Sequence, residues 1–269
     1  MFKVLRGVSG ERAFKGATVS ALALLTIFFV GIVVSMLTYI DWNTFVSVLL
    51  SDEILFAIKL SVATATVATI ISILIAVPVA YAISQTEFPG KNIVDSMLDL
   101  PIVISPIALG AALLVFFNTP IGAGIDNNIT KFVFAVPGII LAQITVISAL
   151  AIRLLKSTFD SIDPRYEQVG RTLGCSKPEV FLRVTLPLAK DGLIASGILT
   201  WARAVGEFGA TVTLAGATAM KTETLPIAIF LSLASADVEK AIAVIFVLII
   251  IAVAALLTMR KIIGRRHQI

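Results

Sequence analysis

Five stretches of this chain, residues 17–40, 60–84, 100–117, 132–152 and 241–259, contain no charged side chain. An α-helix rises about 1.5 Å per residue, so about 20 apolar residues carry it across a hydrocarbon core roughly 30 Å thick. A sixth stretch, residues 192–216, is interrupted only by Arg203 and Glu207. None of the six alternates polar and apolar residues as a lipid-facing barrel strand would. The first is longer than the apolar region of a cleaved signal, about 7 to 15 residues, and is read as a true helix. The expected fold is an all-α integral membrane protein with six transmembrane helices. Of 269 residues only 14% are charged and 58% are hydrophobic, against about a quarter charged in an ordinary soluble domain. That balance leaves no separate water-soluble unit, so residues 1–269 are expected to form a single transmembrane domain.

Basic loops resist translocation, and their placement orients the chain. Sixteen of the 21 Lys and Arg residues fall on one side: Lys3, Arg6, Arg12 and Lys15, then Lys91, then seven between Arg153 and Lys190, then Arg260, Lys261, Arg265 and Arg266. The other side has Lys59, Lys131, Lys221 and Lys240. Both termini are therefore predicted to be cytoplasmic, and the same asymmetry independently gives an even number of spans. In so apolar a chain the net charge of +4 is expected to face anionic lipid headgroups and not nucleic acid. The one cysteine, Cys175, and the one histidine, His267 in the basic tail, supply neither a disulfide nor a metal or Cys/His catalytic cluster.

The polar connection over residues 157–190 is long for a compact protein, in which such segments usually carry a function. Asp163 and Pro164 have the chemistry of a helix start, the aspartate as N-cap and the proline at the first helical position. The pattern predicts a helix over residues 164–173, a left-handed stop at Gly174, and a second helix opening at Pro178 and ending near Leu186 and Pro187. Val169, Leu173 and Phe181 stand among charges, either as a surface offered to a partner's groove or as residues that pack back on the membrane helices.

Gln168-Val169-Gly170-Arg171-Thr172-Leu173-Gly174, followed after nine residues by Val184-Thr185-Leu186-Pro187, resembles the EAA loop of ABC-importer permeases. The spacing and the glycine, leucine and proline match. Gln168 stands where the family usually has Glu, Val169 and Gly170 replace its two alanines, and Glu167 lies one position early. The resemblance covers roughly residues 55–263, and residues 202–211 and 222–230 are similar to blocks of molybdate, tungstate and sulfate permeases. It implies a type I ABC-importer permease in the cell membrane of a prokaryote, working with a second copy of itself, two cytoplasmic ABC ATPase subunits and an external solute-binding protein. It further implies that Glu167, Gln168, Val169, Gly170, Arg171, Leu173, Gly174, Leu186 and Pro187 form the segment that couples to the ATPase. Molybdate or tungstate is the cargo it implies first, and sulfate or thiosulfate the alternative. The chain has no Walker A sequence, so ATP and Mg are expected on the partner subunit. With no H-E-x-x-H, no G-x-S-x-G and no intramembrane carboxylate pair, it is not expected to be an enzyme. A rival from another class, a secondary transporter driven by an ion gradient, would carry internal repeats and a midplane ion site.

Arg203 and Glu207 lie four residues apart, within pairing reach on one helix face. Charges at membrane depth generally face the bundle interior or a watery path. Two readings fit: the pair borders the conduit, with Arg203 attracting a dianion, or it neutralises itself and locks one helix to its neighbour. Gly206 and Gly209 beside it permit close packing or a break in the helix. Pro101 and Pro106 predict an irregular entry to the third span, and the resemblance implies that the third and fifth spans line the translocation path, with Pro101, Pro106, Arg203, Gly206, Glu207 and Gly209 as its candidate residues. The segment 118–124 has turn chemistry at the outer mouth. Ser61, Thr64, Thr66 and Thr69 recur as helix-to-helix glue and not as nucleophiles.

Overall fold

A computed structural model describes residues 2–39 and 42–264. The end of the basic tail, with Arg265, Arg266 and His267, lies outside them. In chain order the helices are α1 Phe2–Leu37, α2 Trp42–Leu49, α3 Asp52–Gln85, α4 Lys91–Leu98, α5 Leu100–Val103, α6 Pro106–Phe117, α7 Pro120–Asn128, α8 Val136–Asp160, α9 Arg165–Thr172 and α10 Lys177–Val180. A π-helical turn, Phe181–Thr185, follows. The rest are α11 Leu186–Leu188, α12 Lys190–Val205, α13 Gly209–Ala215, α14 Leu225–Ala234 and α15 Val238–Gly264. Among the described residues every regular element is helical. Four helices are long and apolar enough to cross a membrane, at Phe14–Leu37, Asp52–Gln85, Val136–Asp160 and Val238–Lys261. A bent pair, Lys91–Val103 with Pro106–Phe117, raises the number to five.

The centre of the molecule is the pairing of α3 with α8. Small residues recur along α3 at helical spacing, with Ala65, Ala68, Ser72, Ala76 and Ala80 all buried, and α8 answers with Ala142, Ala149 and Ala151. Small side chains let two backbones approach, which is how membrane helices gain packing when lipid offers no hydrophobic drive between them. Polar groups supplement the contact. The Ser61 hydroxyl accepts from the Leu225 N–H at 2.7 Å and Thr66 from the Trp201 indole N–H at 3.0 Å. Those two tie α3 to α14 and α12 as expected, whereas Thr64 bonds its own helix at Leu60.

Three expectations are corrected. The stretch 192–216 is not one helix: α12 ends at Val205 and α13 begins at Gly209, so Glu207 sits in the break. Residues 118–124 open a helix and not a turn. The Thr119 side chain accepts from the Gly122 N–H at 3.2 Å and Pro120 takes the first helical position, the arrangement that suits a residue lacking an N–H. The helix opening at Lys177 does not stop at Leu186 and Pro187 but runs on, through the π turn and α11, to α12. Pro187 cannot donate to the turn before it, and the wider π turn just upstream absorbs the mismatch.

The irregular entry at Pro101 and Pro106 is present as a 108° bend. Ser105 caps the outgoing helix by accepting from the Ala108 N–H. Arg153 of α8 pins the other arm of the bend. It pairs with Asp95 at 2.8 Å, donates to the Asp99 carboxylate, and reaches the Asp95 carbonyl at 2.9 Å.

Candidate functional site

Two constellations carry chemistry, one at the bend and one at the surface segment 163–188. At the first, Arg203 near the end of α12 pairs with Glu207 at 2.7 Å. Glu207 is buried, and its second oxygen accepts from the Ala210 N–H at 3.0 Å, holding the start of α13. The Arg203 side chain is 40% exposed and lines a cavity of about 300 Å³ with Pro101, Ile104 and Pro106. Guanidinium has five N–H donors, so a partner on one side leaves donors for an anion on the other. Gly209 is buried where a Cβ would stand 3.0 Å from Pro106 and Ile107, so it belongs to the packing of α13 on α6. Gly206 is exposed with nothing nearer than 3.8 Å. It closes α12 and packs against no neighbour. Gly110 tightens the same seam from α6: a Cβ there would lie 2.8 Å from the Ala210 backbone.

In the second constellation Asp163 caps α9 by accepting from the Arg165 N–H at 2.9 Å. Gly174 ends it at φ +91°. The Cys175 N–H returns to the Gly170 carbonyl at 3.2 Å and the Gly174 N–H to Arg171 at 3.0 Å, the paired bonds of a Schellman stop. Ser176 restarts the chain with its N–H on the Glu179 carboxylate at 2.8 Å. That bond holds the exposed Glu179 carboxyl below its ordinary pKa.

The two faces of α9 differ. Glu167 and Gly170 face inward: Glu167 accepts from the Tyr81 hydroxyl at 3.2 Å and from Thr185 at 2.5 Å, and a Cβ on Gly170 would stand 3.1 Å from Val180. Gln168 is exposed, and Arg171 borders a cleft of about 480 Å³ between α9 and α3. Tyr166, Val169 and Leu173 form an exposed apolar stripe at spacings of three and four, the pattern of a helix offered to a groove. Phe181 follows the second of the two readings and packs back, its ring tilted against Tyr81 and Phe159 at centroid distances of 4.6 and 6.4 Å. Leu186 is half-buried and Pro187 exposed. Sequence reasoning missed Tyr166, whose spacing to Val169 was visible, and Tyr81 and Thr185, which only the fold brings to Glu167.

A multi-pass helical membrane protein with a broken, charge-bearing helix beside a bent one, and a rigid two-faced segment at its surface, has the construction of a transport subunit. The sequence matches the family model described as the binding-protein-dependent transport system inner membrane component over residues 72–267, and the chain belongs to that family, the permeases of ABC importers, in the cell membrane. It is 36% identical over 209 residues to a probable molybdenum ABC transporter permease protein of Haloferax volcanii, covering 77% of this chain and 75% of that one. It is 30% identical over 235 residues to a sulfate transport system permease protein of Synechococcus elongatus, covering 84% and 82%. Its fold is similar to a chain of a bacterial alginate ABC transporter in complex with a periplasmic protein, with a TM-score of 0.76 and 16% identity over 97% of this chain and 96% of that one.

Proposed function

We propose that this chain forms the membrane path of an ATP-driven oxyanion importer, with molybdate or tungstate as cargo. The observation that carries the cargo is Arg203, held by a buried carboxylate yet open to the cavity at the bend. A fixed cation at membrane depth suits a tetrahedral dianion, and pairing with Glu207 lowers the cost of keeping it there. The 36% identity to a molybdenum permease favours molybdate over sulfate, and sulfate is the second reading because a sulfate permease is also close.

In this reading α12 and α13 together make the fifth of six spans in chain order, and both termini are cytoplasmic. Two copies of the chain enclose the path. Two ABC ATPase subunits, which hold ATP and Mg, engage the Tyr166, Val169 and Leu173 stripe, and an external binding protein delivers the anion. Closure of the ATPase pair moves α9. Glu167 passes that motion to α3 through Tyr81 and to the helix continuing into α12 through Thr185. Access at Arg203 then changes sides.

The test is uptake by proteoliposomes holding the complete complex and its binding protein, with labelled molybdate, tungstate and sulfate. ATP-dependent uptake of molybdate or tungstate in preference to sulfate is expected. Equal or greater sulfate uptake overturns the cargo, and accumulation driven by an ion gradient without ATP overturns the importer reading.

A further inference from the structure

A groove of about 570 Å³ lies between α3, α12 and α15. Val62, Ile70, Ile198 and Ile251 line it with almost no polar surface, and Trp201 stands in it with its indole N–H on Thr66. Gly197 forms part of the lining, and a Cβ built there meets no atom within 4 Å, so the groove is open over α12. All three walls come from segments read above as crossing the membrane, and the space therefore faces acyl chains. Its contents are hydrocarbon unless protein covers it.

Charge at one end narrows the occupant. On α12 the groove residues Gly197 and Trp201 continue the helical stripe of Lys190, which lies two turns before Gly197. On α15 the groove residues Ala254 and Thr258 lead, one turn on, to Lys261. Both lysines are exposed. Two cations from different helices thus stand at the same end of an apolar trough, the arrangement that takes an anionic headgroup above a buried chain. We infer that this groove is a binding site for an anionic phospholipid of the cytoplasmic leaflet, one acyl chain lying along Gly197 and Trp201 and the phosphate between Lys190 and Lys261. The leaflet rests on the orientation proposed above.

The test uses the full transporter complex in nanodiscs doped with phosphatidylglycerol bearing a photoreactive group midway along one acyl chain, read by mass spectrometry of the digested chain. Label is expected to concentrate on residues 62–70, 197–201 and 251–258, with a phosphatidylcholine analogue failing to do so. Gly197→Leu starts from a Cβ position with no atom within 4 Å and is expected to abolish that concentration while the other helices keep their background label. Lys190→Gln and Lys261→Gln are each expected to weaken it about fivefold, the loss of one near-surface cation. Even labelling of every lipid-facing helix, equal labelling by phosphatidylcholine, or exclusion of label by α1 of a second copy crosslinked into the groove would each overturn the site. The label reports position and not transport, so its failure is distinct from failure of oxyanion uptake.

Discussion

The Tyr81 hydroxyl donates to both oxygens of the Glu167 carboxylate, at 3.3 and 3.2 Å, across 86 residues of sequence. Thr185 bonds the same carboxylate, so one acidic side chain joins the surface helix α9 to α3 and to the π turn leading toward α12. Tyr81→Phe removes the donor and keeps the ring packing on Phe159 and Phe181. It is expected to lower stability by about 1 kcal/mol, the net worth of one such bond, and to reduce uptake per ATP hydrolysed more than it reduces hydrolysis. Thermal unfolding and a coupled uptake assay read the two effects. An unchanged ratio of uptake to hydrolysis would remove Glu167 from the coupling path.

Gly174 tests the turn itself. Space is not the constraint, since no atom lies within 4 Å of a built Cβ, but φ is +91°. Gly174→Ala is expected to cost about 1–2 kcal/mol locally and to weaken association with the ATPase. Gly174→Asn should cost less, because asparagine tolerates the left-handed region. Pull-down of the ATPase by the two variants should rank them in that order.

Arg203 and Glu207 separate structure from transport through a double variant. Arg203→Gln strands a buried carboxylate at a cost of about 1–3 kcal/mol, discounted because the arginine is partly exposed. Adding Glu207→Gln keeps an acceptor for the Ala210 N–H and should restore the melting temperature. If the arginine contacts the anion, the restored protein still fails to transport. Recovery of both would leave the pair a lock between helices.

Glu223, in the segment between α13 and α14, gives the fold a pH dependence. It is fully buried, accepts from the Met220 N–H at 2.9 Å, and lies near Glu53, which pairs with Lys240 at 2.7 Å. Burial first, then the neighbouring Glu53 carboxylate, pushes the Glu223 carboxyl above the ordinary value near 4.5. An acid whose folded pKa is raised keeps a proton that the unfolded chain has released. Its contribution is therefore intact below the ordinary value and lost as pH rises through the raised one. Melting temperature measured against pH should fall across that window, and Glu223→Gln should flatten the curve.

Local chemistry made the surface segment legible. Asp163, Gly174 and Pro178 each mark a helix end by backbone requirements that hold wherever the segment sits, and the caps stand within a residue of their expected places. The run through Leu186 and Pro187 was not legible, because a π turn compensates for the proline and leaves no distinct residue pattern. Apolar length located α3, α8 and α15, but not the break at Gly206 to Phe208. Hydropathy carries straight through that break, and only the packing of Gly209 on Pro106 and of Ala210 on Gly110 makes it favourable. The reach of Arg203 toward the bend depends on residues a hundred positions away, which no local pattern encodes.

The most direct measurement of coupling places a cysteine at Leu173, which is 79% exposed, in a chain whose own Cys175 is replaced by serine. A crosslinker is then applied to membranes that also contain the cognate ABC ATPase. Capture of the ATPase, with a yield that changes between ATP-bound and nucleotide-free states, is the expected result. No capture in either state, together with solute accumulation by liposomes holding this polypeptide alone, would contradict it.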